Sequence, residues 1–278
     1  MGVSDYNAPL VAKDLCIHES QLSAILRRLY RALPSADLVR FDKMPGHIGE
    51  GPNPLAGHEM FRQMSYRAWG VGLPSTRATY DSSVLGLTFR KELQRKRRRI
   101  AGRGKVDFYS AGTEAEARRI FEALCDQRAA RFAELGRRNI LEDETYRSFY
   151  ETIVLTSCRT GFADLSALEV DGEIVAAMFA LRHGAQRYLL MSTLQGGKWK
   201  SCSPGNVAID SAISQMIASG ENYLDFTIGD EAYKRDFAAT PRALYSGVRA
   251  QSIFGTAQAF SSNFRAIVRN RLRPADAA

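Results

Sequence analysis

Residues 163–193 read ADLSALEV, DG, EIVAAMFALR, HG, AQRYLLMST: three apolar runs separated by two-residue turns. Asp171-Gly172 favours a tight hairpin, so Ala163–Val170 and Glu173–Arg182 are predicted to pair antiparallel, and His183-Gly184 turns the chain into a third strand, Gln186–Thr193. Further on, Val207, Ile209, Ala212, Ile213 and Ile217 fall at helical spacing across Pro204–Ala218, Gly220 stops that helix, and Tyr223–Ile228 reads as a fourth strand. Hairpins followed by a helical crossover specify a mixed sheet and hence an α/β layered fold.

Upstream of the hairpins, Thr113 with Glu116 forms a capping box, and Ile120, Leu124, Ala129 and Phe132 line a helix reaching Gly136. A second helix is predicted over Asp143–Thr160, ended by Gly161. From Ser82 the pattern is helical, with Leu85, Phe89, Leu93 and Ile100 drawing an apolar stripe through a basic block. Nearer the N-terminus, Glu19–Leu33 reads as a helix closed by Pro34, and Ala36–Phe41 as a short strand. Met44–Gly57, with four glycines and three prolines, reads as a loop, and Phe61–Val71 as a strand pair or broken strand. Tyr245–Ile253 is a predicted fifth strand.

With 278 residues, 45% apolar and 24% charged, the chain has an ordinary globular composition, which excludes disordered, collagenous and disulfide-scaffold classes. The net charge of +8 is concentrated: Arg90–Lys105 carries nine basic residues against Glu92, a surplus of eight, and the rest is neutral. A general affinity for nucleic acid therefore does not follow from the overall charge. Cys16, Cys125, Cys158 and Cys202 are scattered, as are His18, His47, His58 and His183, so no metal site is expected and a reducing compartment is. The longest apolar run, Ile174–Leu181, is far short of the roughly 20 residues of a membrane helix. The N-terminus lacks a signal-peptide pattern, and a cytoplasmic address is expected.

Two stretches carry chemistry. The loop Gln195–Asn206 delivers Ser203-Pro204-Gly205 to a helix start, where free amides and a partial positive charge receive phosphate, with Lys198 and Lys200 on the approach. Ser203 is the expected N-cap and Pro204 the first helical residue; the bland alternative is simply a well-made helix start. Neither a G-x-x-x-x-G-K-[ST] nor a G-x-G-x-x-G motif is present. In the second stretch, Leu224–Phe237, Asp225 is expected opposite Leu224 and Phe226, with Asp230, Glu231, Tyr233 and Lys234 at the strand's C-terminal edge, where open α/β sheets place ligands. A carboxylate there can take a proton from an amine, and Tyr233 can give one to a leaving thiolate. The alternative is a charged turn, with Asp225 bonded to loop amides. No Ser/His/Asp or Cys/His set can be assembled, and Cys202 is expected to be a packing residue.

Ser203-Pro-Gly-Asn206, the Asp225-Phe226 strand and Gly229-Asp-Glu-Ala-Tyr-Lys234 resemble the acetyltransferase domain of CelD-like proteins of cellulose and exopolysaccharide biosynthesis. These are GNAT-superfamily members distantly related to Fem-type aminoacyl transferases. The resemblance extends to Leu165–Ala177 and Arg90–Val106 and covers residues 80–250. It implies a GNAT-type mixed sheet flanked by helices, preceded by a partial second GNAT-like lobe. The implied divisions are 1–85 (partial lobe), 86–110 (basic connecting helix and strand), 111–258 (acetyltransferase domain) and 259–278 (tail). The implied donor is acetyl-CoA or another acyl-CoA, held by Lys200, Ser203, Pro204, Gly205, Asn206 and Lys234, and Asp225, Glu231 and Tyr233 are the implied catalytic set. The chain departs from the usual Gln/Arg-x-x-Gly-x-Gly/Ala loop of GNAT proteins. An aromatic-Lys pair in Fem-type relatives meets substrate phosphate, and Tyr233-Lys234 resembles it.

The resemblance also implies more N-terminal strands than follow Met1, with Ser4–Leu10 resembling a mid-lobe strand, so an exposed sheet edge and impaired activity are expected. The acceptor is expected to be an amine on a sugar or envelope precursor. Arg95–Arg99 offers a contact for a polyanion or a membrane face, although these residues are expected to wrap most of a helix; nucleic acid is disfavoured except for a tRNA-borne donor. A non-catalytic assembly lobe is the third reading.

Overall fold

The computed structural model describes residues 4–12, 17–33, 35–49 and 51–259; Cys16, Pro34 and, of the expected tail 259–278, residues 260–278 lie outside these. The chain divides into two compact units, one comprising Trp69–Thr227 and Ala232–Thr240, the other the described parts of 1–68, 228–231 and 241–278.

The smaller unit contains α1 (Glu19–Ala32), β1 (Leu38–Pro45), a ribbon of β2 (His47–Ile48) and β3 (Gly51–Pro52), and β4 (Arg62–Gln63). The ribbon lies inside the expected loop: its two-residue ladder leaves an open edge that tolerates Pro52. Ser4–Leu10, expected as a strand, is not one. A backbone bond from Asn7 N to Lys43 O and side-chain bonds from Asn7 to Asp42 O and from Lys43 to Ser4 O tie it beside β1, and Pro9 lacks a donor to extend a ladder. The next strand, β5 (Ala68–Gly72), opens the larger sheet, so Phe61–Val71 is indeed broken in two.

In the larger unit, α2 (Arg77–Thr79) runs into a wide helical turn at Tyr80–Val84, and α3 (Leu87–Ala101) starts only after Leu85 takes an extended conformation and Gly86 the N-cap. The helix expected from Ser82 is thus interrupted, because Leu85 is buried as a separate anchor. Then follow β6 (Val106–Ser110), α4 (Glu114–Glu134), α5 (Glu144–Thr160), β7 (Ala163–Val170), β8 (Glu173–His183) and β9 (Gln186–Leu194). A 3-10 turn at Gly197–Cys202 precedes α6 (Pro204–Ala218), β10 (Tyr223–Ile228), α7 (Tyr233–Asp236) and β11 (Thr240–Arg242). The last strand, β12 (Leu244–Ala250), pairs with β1 and β4 in the smaller unit, and a helix starts at Ile253 where the expected fifth strand was to continue.

The capping box of α4 is formed, with Thr113 Oγ1 accepting the Glu116 amide at 3.2 Å. Asp143 caps α5, which ends at Gly161 in a left-handed conformation. The seven-stranded sheet has the order β11-β5-β10-β9-β8-β7-β6, antiparallel from β6 through β9 and parallel between β9 and β10. It is mixed and covered by helices, as the resemblance implies. Alternation splits the core: Leu168, Val170, Met178 and Ala180 pack with α3 and α6, whereas Leu165, Ala167, Ala177 and Phe179 pack with α4 and α5. Each large aliphatic side chain fully enclosed, such as Ile120 or Ile213, contributes about 1.5–3 kcal/mol. Between β5 and β10 the Tyr223 ring lies over Gly70: a Cβ there would stand 2.0 Å from Tyr223 Oη and displace the ring.

Candidate functional site

A groove of about 1000 Å³ opens between α4, the start of β8, the end of β9 and the first turn of α6. Lys200, Ser203, Gly205 and Asn206 line it, as do Gln127, Arg131 and Glu134 of α4. Pro204 occupies the first helical position and is buried. Ser203 stands at the N-cap as expected, but its backbone is left-handed (φ +47°) and its side chain makes no cap bond. Its carbonyl accepts from Asn206 N at 3.1 Å instead. That carbonyl also takes the Val207 amide at 3.4 Å, so the backbone of Ser203 rather than its side chain closes the first turn. A Cβ on Gly205 would lie 3.1 Å from Leu194 Cδ2, so the glycine keeps the mouth clear beside the strand end.

The turn before this helix is clamped by residues remote in sequence. Trp199, buried, donates its indole N–H to Glu173 Oε1 at 2.9 Å, and Lys198 Nζ lies 2.8 Å from Glu173 Oε2. Arg103 and Lys198 each sit 5.2 Å from the Trp199 ring. Arg103 also donates to Lys198 O, and Arg99 donates to Ser201 O at 3.3 Å. Glu173, Trp199, Arg99 and Arg103 were not singled out as site residues from sequence. Arg103 lies 95 residues from Lys198, and no local spacing links them. Cys202 is buried in the core beside this turn.

Lys198, and then the Trp199 indole, hold the Glu173 carboxyl below its ordinary value of 4.5. A carboxylate lowered on folding contributes stability that is fully present above its unfolded value and is lost as pH falls through the folded one. Wild-type protein is therefore expected to lose more stability than Glu173→Gln between about pH 5 and pH 3. Urea unfolding at each pH measures it; parallel curves would remove the clamp from the acid response.

At the second stretch, Asp225 is completely enclosed and its Oδ1 accepts the Thr227 amide at 2.7 Å. Lys234 is 2% exposed, its Nζ 3.5 Å from Thr227 O, and it does not line the groove. Tyr233 is half-buried, its ring edge-on to Phe226 at 6.0 Å. Glu231 is exposed and belongs to the smaller unit, as does Asp230, which Arg67 bonds at 3.2 Å. The structure thus brings Lys200, Ser203, Gly205 and Asn206 together in the groove and places Asp225, Tyr233 and Lys234 around the end of β10.

The basic helix is less uniform than its sequence suggests. Lys96 is buried and pairs with Glu92 at 2.7 Å. Arg97 and Arg77 both bind the buried Asp210 of α6, at 2.6 and 2.7 Å. Lys91, Arg95 and Arg98, spaced i, i+4, i+7, form an exposed outer stripe, so the basic side chains do not simply wrap a solvated rod. In the smaller unit, His58 Nδ1 accepts the Met60 amide, so the proton resides on Nε2, which faces Ser23 Oγ at 3.3 Å as a donor and cannot act as its base. Among the described residues no group of three or more His, Cys, Asp or Glu is placed to hold a metal, and no helix is long and apolar enough to cross a membrane.

The family described as acetyltransferase (GNAT) domain matches residues 88–235, which contain the groove, the clamp and the end of β10. No curated protein matches the chain. Among solved structures, a conserved protein of Bacteroides thetaiotaomicron VPI-5482 is similar with a TM-score of 0.55 at 14% identity, over 82% of this chain and 75% of that one. FemX gives 0.55 at 9% identity, over 82% and 76%. The L-PGS of Bacillus licheniformis gives 0.54 at 12%, over 86% and 77%. At these identities the likeness concerns the fold.

Proposed function

The chain belongs to the acetyltransferase (GNAT) domain family, and from that premise we propose that it is an N-acyltransferase moving an acetyl or other acyl group from acyl-CoA to an amine. The observation that carries this reading is the groove ending at the first turn of α6, with Gly205 clearing its mouth and Lys198 and Lys200 at its rim. For a diphosphate at that end, the helix start offers its partial positive charge and Lys200 stands on the approach, while Lys198 would exchange its Glu173 partner for the phosphate. The amine attacks the thioester carbonyl, a C–N bond forms as the C–S bond breaks, the amine loses a proton to water, and Tyr233 protonates the departing thiolate. The acceptor we propose is an amine on a polysaccharide or cell-envelope precursor, supported by the resemblance of residues 203–206 and 229–234 to CelD-like proteins. A cytoplasmic, membrane-peripheral location accords with it.

Acetyl-CoA is expected to raise the melting temperature, equivalent to about 2.7 kcal/mol at a hundred times its Kd. Tyr233→Phe should lower kcat by about tenfold at unchanged KM for donor. Absence of any shift across a series of acyl-CoA chain lengths would count against the enzyme reading. The outer stripe of Lys91, Arg95 and Arg98 favours a second reading, a tRNA-borne aminoacyl donor. A shift with charged tRNA and none with acyl-CoA would select it.

A further inference from the structure

In the parallel pair β9–β10 the register runs through Tyr223↔Gln186, Leu224↔Arg187 and Asp225↔Tyr188. Beyond Asp225 the backbone does something unusual. Thr227, a β-branched residue, has φ +56°, a conformation that such side chains rarely adopt and that persists only when surroundings hold it. Three buried polar contacts do so. The Asp225 carboxylate binds the Thr227 amide at 2.7 Å, and the Thr227 hydroxyl donates to Leu189 O of β9 at 3.2 Å. The Lys234 ammonium lies 3.5 Å from Thr227 O. All three side chains are less than 5% exposed. Side chains thus occupy the amide and carbonyl that a continued ladder would have used, and β10 leaves β9 at that residue. At the same level β9 carries an extra residue against β8, Leu190, where the register shifts between Phe179↔Met191 and Ala180↔Leu189.

We propose that Asp225, Thr227 and Lys234 are positioning residues: a buried lock that fixes where β9 and β10 part, and so how the end of β10 holds Tyr233, the proposed acid, which packs on Phe226. Asp225 acts on the backbone of Thr227 and does not exchange a proton with the acceptor. The lock is independent of what the protein catalyses; its effect on turnover rests on the acyltransferase reading.

The experiment compares Asp225→Ala, Asp225→Asn and Thr227→Val for acetyl transfer from acetyl-CoA to an amine panel, and for amide hydrogen exchange in β9 and β10. Asp225→Ala should lower kcat by about tenfold with donor KM changed by less than about twofold, because misplacement affects the reacting geometry more than the distant phosphate contacts. It should also speed exchange at Thr227. Asparagine keeps the acceptor oxygen, so Asp225→Asn should restore kcat to within about threefold, with an unchanged pH profile. Thr227→Val keeps the branched shape and loses only the hydroxyl, and should speed exchange in the same strands. An Asp225→Asn enzyme as inactive as Asp225→Ala, with the lower limb of the pH profile gone, would overturn the proposal in favour of a general base. Unaltered exchange in both Asp225→Ala and Thr227→Val would overturn the lock itself. If wild-type protein transfers no acetyl group, the acyltransferase reading fails, and the exchange data alone decide the lock.

Discussion

Gly205→Asp is expected to weaken donor binding by roughly 10³-fold, since losing two charge-assisted contacts at about 1.5–3 kcal/mol each is of that order. The residue is buried in the first turn of α6 and lines the groove. Its new Cβ would stand 3.1 Å from Leu194 Cδ2, a flexible and 43% exposed side chain that can give way by a few tenths of an ångström. The fold should therefore survive. The carboxylate, however, would occupy the place of a phosphate and repel any phosphate that approached. Gly205→Ala is the control for bulk, expected to cost less than about 1.5 kcal/mol. Acetyl-CoA should raise the melting temperature of wild type and Gly205→Ala and leave that of Gly205→Asp unmoved. Equal shifts in all three would place the donor elsewhere.

The second large effect concerns stability. Arg187, 2% exposed, joins Asp164 Oδ2 at 2.9 Å and receives Glu221 in a fork whose Nε–Oε2 arm is 2.9 Å. Arg182 binds the other Asp164 oxygen at 2.7 Å. Arg187 faces Leu224 in the register, so this network pins the closed end of the strand pair whose other end the Thr227 lock opens. Arg187→Ala would leave two carboxylates enclosed with their central partner gone, and should destabilise the protein by about 3–5 kcal/mol. Urea unfolding measures it, as a lower midpoint at unchanged m. Because the groove is built from other residues, donor Kd should not change in the folded fraction. A loss below about 1 kcal/mol, the level of surface ion pairs, would show that solvent reaches the network.

The parts of the fold legible in the chain are those set by neighbours in sequence. Asp171-Gly172 turns as expected, and the second turn falls one residue later than expected, at Gly184-Ala185, because left-handed Gly184 leads it and His183 still pairs with Gln186. The α6 start and the Thr113 capping box were equally local. What was not legible depended on distance. Leu244–Ala250 has strand character whichever sheet accepts it, and only the fold assigns it to β1. Glu173 and Trp199 are 26 residues apart and carry no motif. Thr227 reads as an ordinary strand residue because propensity favours β, and here tertiary contacts override it. Lys234, which the resemblance to the aromatic-Lys pair of Fem-type relatives implied would meet phosphate, is drawn inside by the same contacts.

The division into two units has a consequence for taking the molecule apart. The chain crosses from one to the other at 68/69, 227/228, 231/232 and 240/241, so neither unit is a contiguous stretch and no single cut excises either. The sheet adds a temporal constraint. The β7–β9 hairpins close loops of a few residues, but β5 takes its place beside β10 only after a loop of roughly 150 residues has closed, with its larger entropy cost. The groove is lined by α4, β8, β9 and α6, all on the local half of that sequence of events. A chain interrupted before Tyr223 would carry every residue that lines the groove and yet lack β10, the strand on which β5 docks.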